Sequence, residues 1–336
     1  MKQNDMKDNN LFQEKYNELL LLVENLLANY HKGDNPDCMY DPFNYILTAG
    51  GKRIRPVLAM ICAGACGAPP ESALKPAAAV EIMHNFTLVH DDIMDDSPMR
   101  RGRQTVHEKW DTPTAILLGD VMVGHAYALL PGCNEHARAT EINRAFTRGL
   151  IEVCEGQAFD MQFNERRDVS IDDYMNMIGK KTSRLLETAA VIGVHCANAP
   201  ERIASAAELF ARELGLGFQL QDDLLDILAD QAELGKTIGL DIAEGKKTFL
   251  IITAKERATS QEDVELINEF YKNNGLPIDK APVMRELFER LGVFDSAGEE
   301  IKLHFDNARK YISEFSDGFY VDMLRWLVDK IDKRKY

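Results

Sequence analysis

Apolar residues recur at intervals of three and four along nearly every segment between glycine or proline breaks. The stretch Leu11-Phe-Gln-Glu-Lys-Tyr-Asn-Glu-Leu-Leu-Leu-Leu-Val-Glu-Asn-Leu-Leu is one such run. A period near 3.6 gathers its apolar side chains on one face of a helix. Alternating, strand-like patterns are scarce. The periodicity predicts helices over 11–30, 40–49, 55–66, 72–95, 112–130, 136–163, 171–195, 200–230, 246–258, 261–274, 280–292, 295–315 and 318–332. The chain shows no fixed-period repeat, low-complexity stretch or long linker, which favours one all-α helical bundle over 1–336 rather than two domains. Residues 333–336, Lys-Arg-Lys-Tyr, form a basic tail.

Composition narrows the classes. A 45% apolar share of 336 residues supports a sizeable core. No uninterrupted apolar run approaches the roughly 18–20 residues of a membrane span, and the N-terminus lacks a signal-peptide pattern, so a cytoplasmic protein without an integral membrane segment is expected. The six cysteines are scattered; Cys62 and Cys66 have no second close pair to complete a zinc site, so reduced core thiols are expected. The net charge of -15 disfavours nucleic acid as a partner. It equally repels a free diphosphate, unless metal ions and a concentration of Lys and Arg reverse the field locally.

Two carboxylate clusters supply candidate metal ligands. In His84-Asn-Phe-Thr-Leu-Val-His-Asp-Asp-Ile-Met-Asp-Asp, Asp91 and Asp95 fall one turn apart on one helix face, with Asp92 beside them. Phe86, Leu88, Val89, Ile93 and Met94 surround them, which argues for a largely buried helix where close like charges are costly without a cation. Gly217-Phe-Gln-Leu-Gln-Asp-Asp-Leu-Leu-Asp repeats the arrangement with Asp222, Asp223 and Asp226. An all-oxygen carboxylate set suits magnesium, which keeps some waters while binding substrate phosphates. An EF-hand is disfavoured because its ligands alternate along a Gly-containing loop, whereas these aspartates fall on helices. Facing each other, the clusters would let magnesium ions grip a diphosphate from both sides and neutralise a departing pyrophosphate, enough to ionise an allylic ester.

Basic segments accompany them. Gly50-Gly-Lys-Arg-Ile-Arg-Pro brings three cations next to a Gly pair at the start of a helix, where phosphate oxygens can be held. Arg100-Arg-Gly follows the first cluster, Lys180-Lys-Thr lies mid-chain, and Gly235-Lys-Thr and Gly245-Lys-Lys-Thr follow the second. In this order, from Pro42 to Thr248, the segments resemble the polyprenyl synthetase family of trans-isoprenyl diphosphate synthases, which includes the farnesyl and geranylgeranyl diphosphate synthases.

The resemblance implies an all-α isoprenoid-synthase bundle with a central active-site cavity and a prenyltransferase joining isopentenyl diphosphate to an allylic diphosphate. It implies that Lys52, Arg55, His84 and Arg101 bind the diphosphate of isopentenyl diphosphate. Asp91, Asp95 and Asp222 would ligate magnesium with Asp226 as an outer helper, and Arg100, Lys181, Lys236 and Lys246 would hold the allylic diphosphate. Thr182 and Gln219, with Lys181, would line the place where the carbocation forms, offering oxygen dipoles rather than anions that would trap it. A His on an apolar helix is by default a packed core residue; for His84 the motif favours binding. Gly239-Leu-Asp departs from the Gly-Thr-Asp of many relatives, a local difference. The tail resembles one that in some relatives closes over the site, and relatives are commonly homodimers.

Product length is expected to follow from Phe86 and Thr87, about one turn before Asp91 and therefore deeper along the helix. An aromatic at Phe86 with the smaller Thr87 beside it resembles the geranylgeranyl type; a bulky residue at Thr87 would have indicated farnesyl, the second choice. A class I terpene cyclase is the nearest rival, but it should lack the second cluster and the isopentenyl site. A helical metal phosphohydrolase needs more histidine ligands, and a non-catalytic subunit has no use for both clusters.

Overall fold

The computed structural model describes residues 2–30, 34–133, 136–228 and 239–334. Helices follow the apolar periodicity: α1 (Lys2–Asn29), α2 (Asp37–Leu47), α3 (Ile54–Ala65), α4 (Leu74–Met94), α5 (Val106–Lys109), α6 (Thr112–Leu129), α7 (Ala139–Phe163), α8 (Ile171–Ile178), α9 (Arg184–Cys196), α10 (Glu201–Leu228), α11 (Leu240–Ala243), α12 (Phe249–Arg257), α13 (Gln261–Asn273), α14 (Ala281–Arg290), α15 (Val293–Ile312) and α16 (Phe319–Asp332). The all-α class holds. The strands among the described residues are one short antiparallel pair, β1 (Met99–Arg100) and β2 (Arg103–Gln104). Two details differ from expectation. α1 starts before residue 11, in a polar stretch that has no apolar period to announce it, and the expected helix 171–195 is broken by a π-turn at Gly179–Ser183.

Local chemistry explains several boundaries. Asp111 caps α6 by accepting from Thr114 N at 2.7 Å, with Pro113 in the first turn. Ser170 and Asp173 form a reciprocal capping box at α8, and Ser260 caps α13. The π-turn lies against α7 at Gly156, where a Cβ would collide with the backbone of Lys181. That close approach needs glycine, and the widened turn re-aims Lys181 and Thr182.

The chain divides into two compact units: residues 1–151, 185–209 and 311–327 form one, and 152–184, 210–310 and 328–336 the other. In the first, α3 is buried throughout Val57–Ala63, and α4 packs on α3 and α6 while α1 covers α3 and α4. In the second, α12 packs on α8, α13 and α14, with Phe210, Phe270, Phe288 and Phe305 fully buried.

Two composition-based expectations meet the structure, and the second needs correction. Among the described residues one helix, Thr112–Gly132, is long and apolar enough to cross a membrane by length and composition, with mean hydropathy 1.4. Asp120 and His125 interrupt it, which is why no unbroken apolar run marks it in sequence. All six cysteines are free, but only Cys62 and Cys196 are buried; Cys38 and Cys154 are exposed.

Candidate active site

In the first unit the Gly50-Gly51 pair takes positive φ values of 74° and 143° before α3, a turn that L side chains rarely adopt. It lets Arg101 lie against the backbone: Arg101 Nη1 donates to Gly50 O at 2.6 Å, and a Cβ on Gly51 would meet that guanidinium at 3.1 Å. Of the three cations that follow, Arg53 turns inward. Its guanidinium donates to Glu24, Glu81 and Leu47 O at 2.5–2.7 Å, leaving Lys52 and Arg55 as the ligand candidates of this segment. Arg55 Nη1 lies 3.2 Å from His84 Nε2, while its Nε is buried without a hydrogen-bond partner among the described residues. Burial, then the neighbouring Arg55, Arg101, Arg100 and Arg53, pushes His84 well below its usual range, so it is a neutral imidazole. Arg55, His84 and Arg101 therefore stand together, with Glu81 as a nearby anion that Arg53 already engages.

The first aspartate cluster lies at the end of α4. The helix stops at Met94, so Asp95 is an exposed C-cap and Asp91 is half-buried; only Asp92 is inside, at 2% exposure. The largely buried helix expected from its apolar neighbours thus extends only to Val89 and Asp92. Asp92 accepts from Arg100 Nε at 2.6 Å, and burial raises its carboxyl despite that cation. Phe86 is nearly buried and meets His90 edge-on at 4.9 Å, while Thr87 Oγ1 donates back to His84 O.

The second cluster lines a cavity of about 400 Å³ in the other unit. Asp222, Asp223 and Asp226 from α10 share its wall with Asp160 of α7, Tyr174 of α8, Lys181 and Thr182 of the π-turn, Gln219, and Asp241, Lys246 and Lys247 around α11. Thr182 Oγ1 donates to Gln219 Oε1 and Gln219 Nε2 donates to Asp223 Oδ1, both at 2.8 Å; Tyr174 OH donates to the other Asp223 oxygen. Lys181 pairs with Asp160 at 2.5 Å. Asp226 Oδ2 accepts from Asp241 N at 3.1 Å. Arg334, from the basic tail, pairs with Asp222 and stacks over Phe218 at 4.5 Å. Burial pushes Asp223 up to about 7, against the hydrogen bonds from Tyr174 and Gln219, and burial also pushes Asp241 well above the usual carboxylate range.

Sequence reasoning reached Lys181, Thr182, Gln219, Asp222, Asp226 and Lys246, which all line this cavity. It missed Asp160, Tyr174 and Asp241, which come from other elements and carry no shared spacing. Lys247, adjacent to Lys246, is instead tied to Asn274 Oδ1 at 2.5 Å. Lys236 lies outside the described residues, as do the last two positions of the tail.

Residues 36–287 match the polyprenyl synthetase family. The chain belongs to that family. A short chain isoprenyl diphosphate synthase of Methanothermobacter thermautotrophicus is 36% identical over 90% of this chain and 92% of its own length. A geranylfarnesyl diphosphate synthase of Aeropyrum pernix is 32% identical over 94% and 99%. The crystal structure of a geranylgeranyl pyrophosphate synthetase from Pyrococcus horikoshii superposes with a TM-score of 0.87 at 30% identity, covering 99% of this chain and all of that one. As a polyprenyl synthetase the chain is a prenyltransferase, an isoprenyl diphosphate synthase with the all-α isoprenoid-synthase fold. It acts on isopentenyl and allylic diphosphates, and the family is metal-dependent. The cavity fits such an ion on its own chemistry: burial, then the neighbouring carboxylates, raises Asp223 and Asp241, and the carboxylates of its wall are hard oxygen donors.

Proposed function

We propose that the chain, working as one isoprenoid-synthase domain over 1–336, condenses isopentenyl diphosphate with an allylic diphosphate to give geranylgeranyl diphosphate. The carrying observation is the cavity that sets Asp222 and Asp226 beside Lys181 and Lys246, opposite charges suited to a diphosphate bound together with cations. Magnesium is the proposed ion. Asp91, Asp95 and Asp222 would hold it with Asp226 behind, and when bound it supplies neutralising charge to the leaving pyrophosphate.

Lys181, Lys246, Lys236 and Arg100 would hold the allylic diphosphate; Arg100 has its Nη groups for phosphate while Nε donates to Asp92. The allylic C–O bond breaks with both electrons going to pyrophosphate, leaving a delocalised carbocation. Thr182 and Gln219 would turn oxygen dipoles toward it, and their mutual hydrogen bond fixes both side chains. Lys52, Arg55, His84 and Arg101 would orient isopentenyl diphosphate, whose double bond attacks the cation. A C–C bond forms, and a proton leaves the adjacent carbon for a pyrophosphate oxygen. The orphaned Arg55 Nε is a donor that such an anion would satisfy.

Phe86 is the proposed floor for the growing chain. Incubating purified enzyme with labelled isopentenyl diphosphate and dimethylallyl, geranyl or farnesyl diphosphate, with and without magnesium, then chromatographing the dephosphorylated alcohols, tests reaction and length together. A magnesium-dependent twenty-carbon alcohol is expected, and longer alcohols from Phe86→Ala. Cyclic hydrocarbons would overturn the reaction, and an unchanged length in Phe86→Ala would remove the floor.

We also propose a cytoplasmic homodimer. Both substrates are charged and water-borne, and α6 exposes Ile116 and Leu117, at 47% and 54%, as apolar area for a second copy. Leu117→Glu should shift the sedimentation coefficient from dimer to monomer; a monomeric wild type would sink this assignment.

A further inference from the structure

Between α4 and α6, outside the cavity and the basic group, Asp96, His107 and Glu108 bring one ligand atom each within 4.8 Å of one another. Asp96 follows the C-cap of α4 with φ 50°, and Ser97 N bonds back to Asp92 O at 2.9 Å, which fixes the direction of the turn. His107 and Glu108 come from α5, just after the β1–β2 hairpin. The His107 side chain is 6% exposed, yet neither ring nitrogen has a hydrogen-bond partner among the described residues. Its Nε2 lies 3.8 Å from Glu108 Oε1. A buried imidazole with both nitrogens unanswered is costly and calls for a missing partner. The neighbouring carboxylates identify that partner as a cation.

We propose that Asp96, His107 and Glu108 form a site for a divalent transition metal of the zinc class, separate from the magnesium-binding aspartates. An imidazole with two carboxylates favours zinc or cobalt over magnesium, which prefers an all-oxygen shell. Three protein donors leave a position for water. The ion would tie residue 96 to residues 107 and 108, closing the base of the loop that carries Arg100 and Arg101. Its role would be to hold those two arginines in register with Asp92 and Gly50, with no part in the chemical steps.

The test is equilibrium dialysis of full-length enzyme against zinc in saturating magnesium, with cobalt substitution followed by visible absorption. Wild type should retain one zinc per chain and show cobalt d–d bands of a low-coordinate nitrogen–oxygen site. His107→Gln and Asp96→Ala should each weaken zinc at least tenfold, whereas Asp222→Asn should leave this zinc in place. Asp96 is exposed, so its variant keeps the fold even where His107→Gln does not. Hydrogen exchange of residues 97–106 should slow on adding zinc in wild type only. Equal zinc retention in both variants, or zinc that magnesium displaces and Asp222→Asn abolishes, would overturn the site.

Discussion

The two aspartate clusters share a spacing and a buried middle carboxylate, Asp92 or Asp223, but differ in their surroundings. Asp91-Asp92-Ile-Met-Asp95 runs off the end of α4, so two of its carboxylates meet solvent and the third is held by Arg100. Asp222-Asp223-Leu-Leu-Asp226 lies within the last turns of α10 and faces a cavity whose other walls add Asp160, Asp241 and Tyr174. Identical local patterns have thus produced an accessible carboxylate pair and a walled, anion-rich one. The difference comes from tertiary surroundings: where a helix stops, and which side chains other helices contribute. An accessible pair can exchange ions and ligands readily. A walled set repels its own charge until a cation enters, which couples its ionisation to metal binding.

The sharpest way to break the comparison is to remove one outer aspartate from each cluster. Asp91→Ala and Asp222→Ala should each lower kcat/KM by about 10³-fold, the scale of losing a principal electrostatic stabiliser. If the clusters serve one leaving group, the double variant will fall well short of the product of the two losses. Steady-state kinetics across a magnesium titration checks this; full multiplicativity would mean that the clusters act independently.

The sequence made the helices and these carboxylates legible because both are local. A 3.6-residue period marks α3 and α10, and an i, i+4 carboxylate pair is visible in either motif. What stayed hidden is set by contacts remote in sequence. Nothing around Tyr174 signals that its hydroxyl meets Asp223, and no local rule separates Arg53, drawn inward by Glu24 and Glu81, from Arg55, left beside His84. The hairpin at 99–104 is too short to show alternation, and the π-turn depends on Gly156 in another helix.

Titration should sharpen the contrast next, because the basic group and the walled cluster respond to pH with opposite signs. His84 has a folded pKa below its unfolded value, so its contribution is present above about 6.5 and is lost as pH falls. Asp223 has a folded pKa raised to about 7, so the folded state holds the extra proton between the unfolded value and that point, and stability declines as pH rises through this window. For Asp223 the expected amplitude is a few kcal/mol in the metal-free protein. In thermal melts from pH 4.5 to 8, Asp223→Asn should flatten the loss on the alkaline side and His84→Gln the loss on the acid side. Magnesium should raise Tm more at pH 8 than at pH 5. A magnesium shift independent of pH would show that the walled carboxyls do not titrate as a group.

The smallest expected effect concerns the cation that already sits at the walled cluster. Arg334 pairs with Asp222 while its guanidinium lies over Phe218, so the tail places a positive charge on an oxygen that a metal would also use. The pair is partly solvent-exposed, which limits it to about 1 kcal/mol. Removing it should tighten magnesium at this cluster by up to roughly fivefold, since the ion no longer competes with the guanidinium. The substitution removes a contact to Asp222, so magnesium at the first cluster should not change. Calorimetric titration of Arg334→Ala in an Asp91→Asn background isolates the second cluster. Weaker magnesium binding there would reverse the sign and make Arg334 a supporting residue of the metal-bound state rather than its competitor.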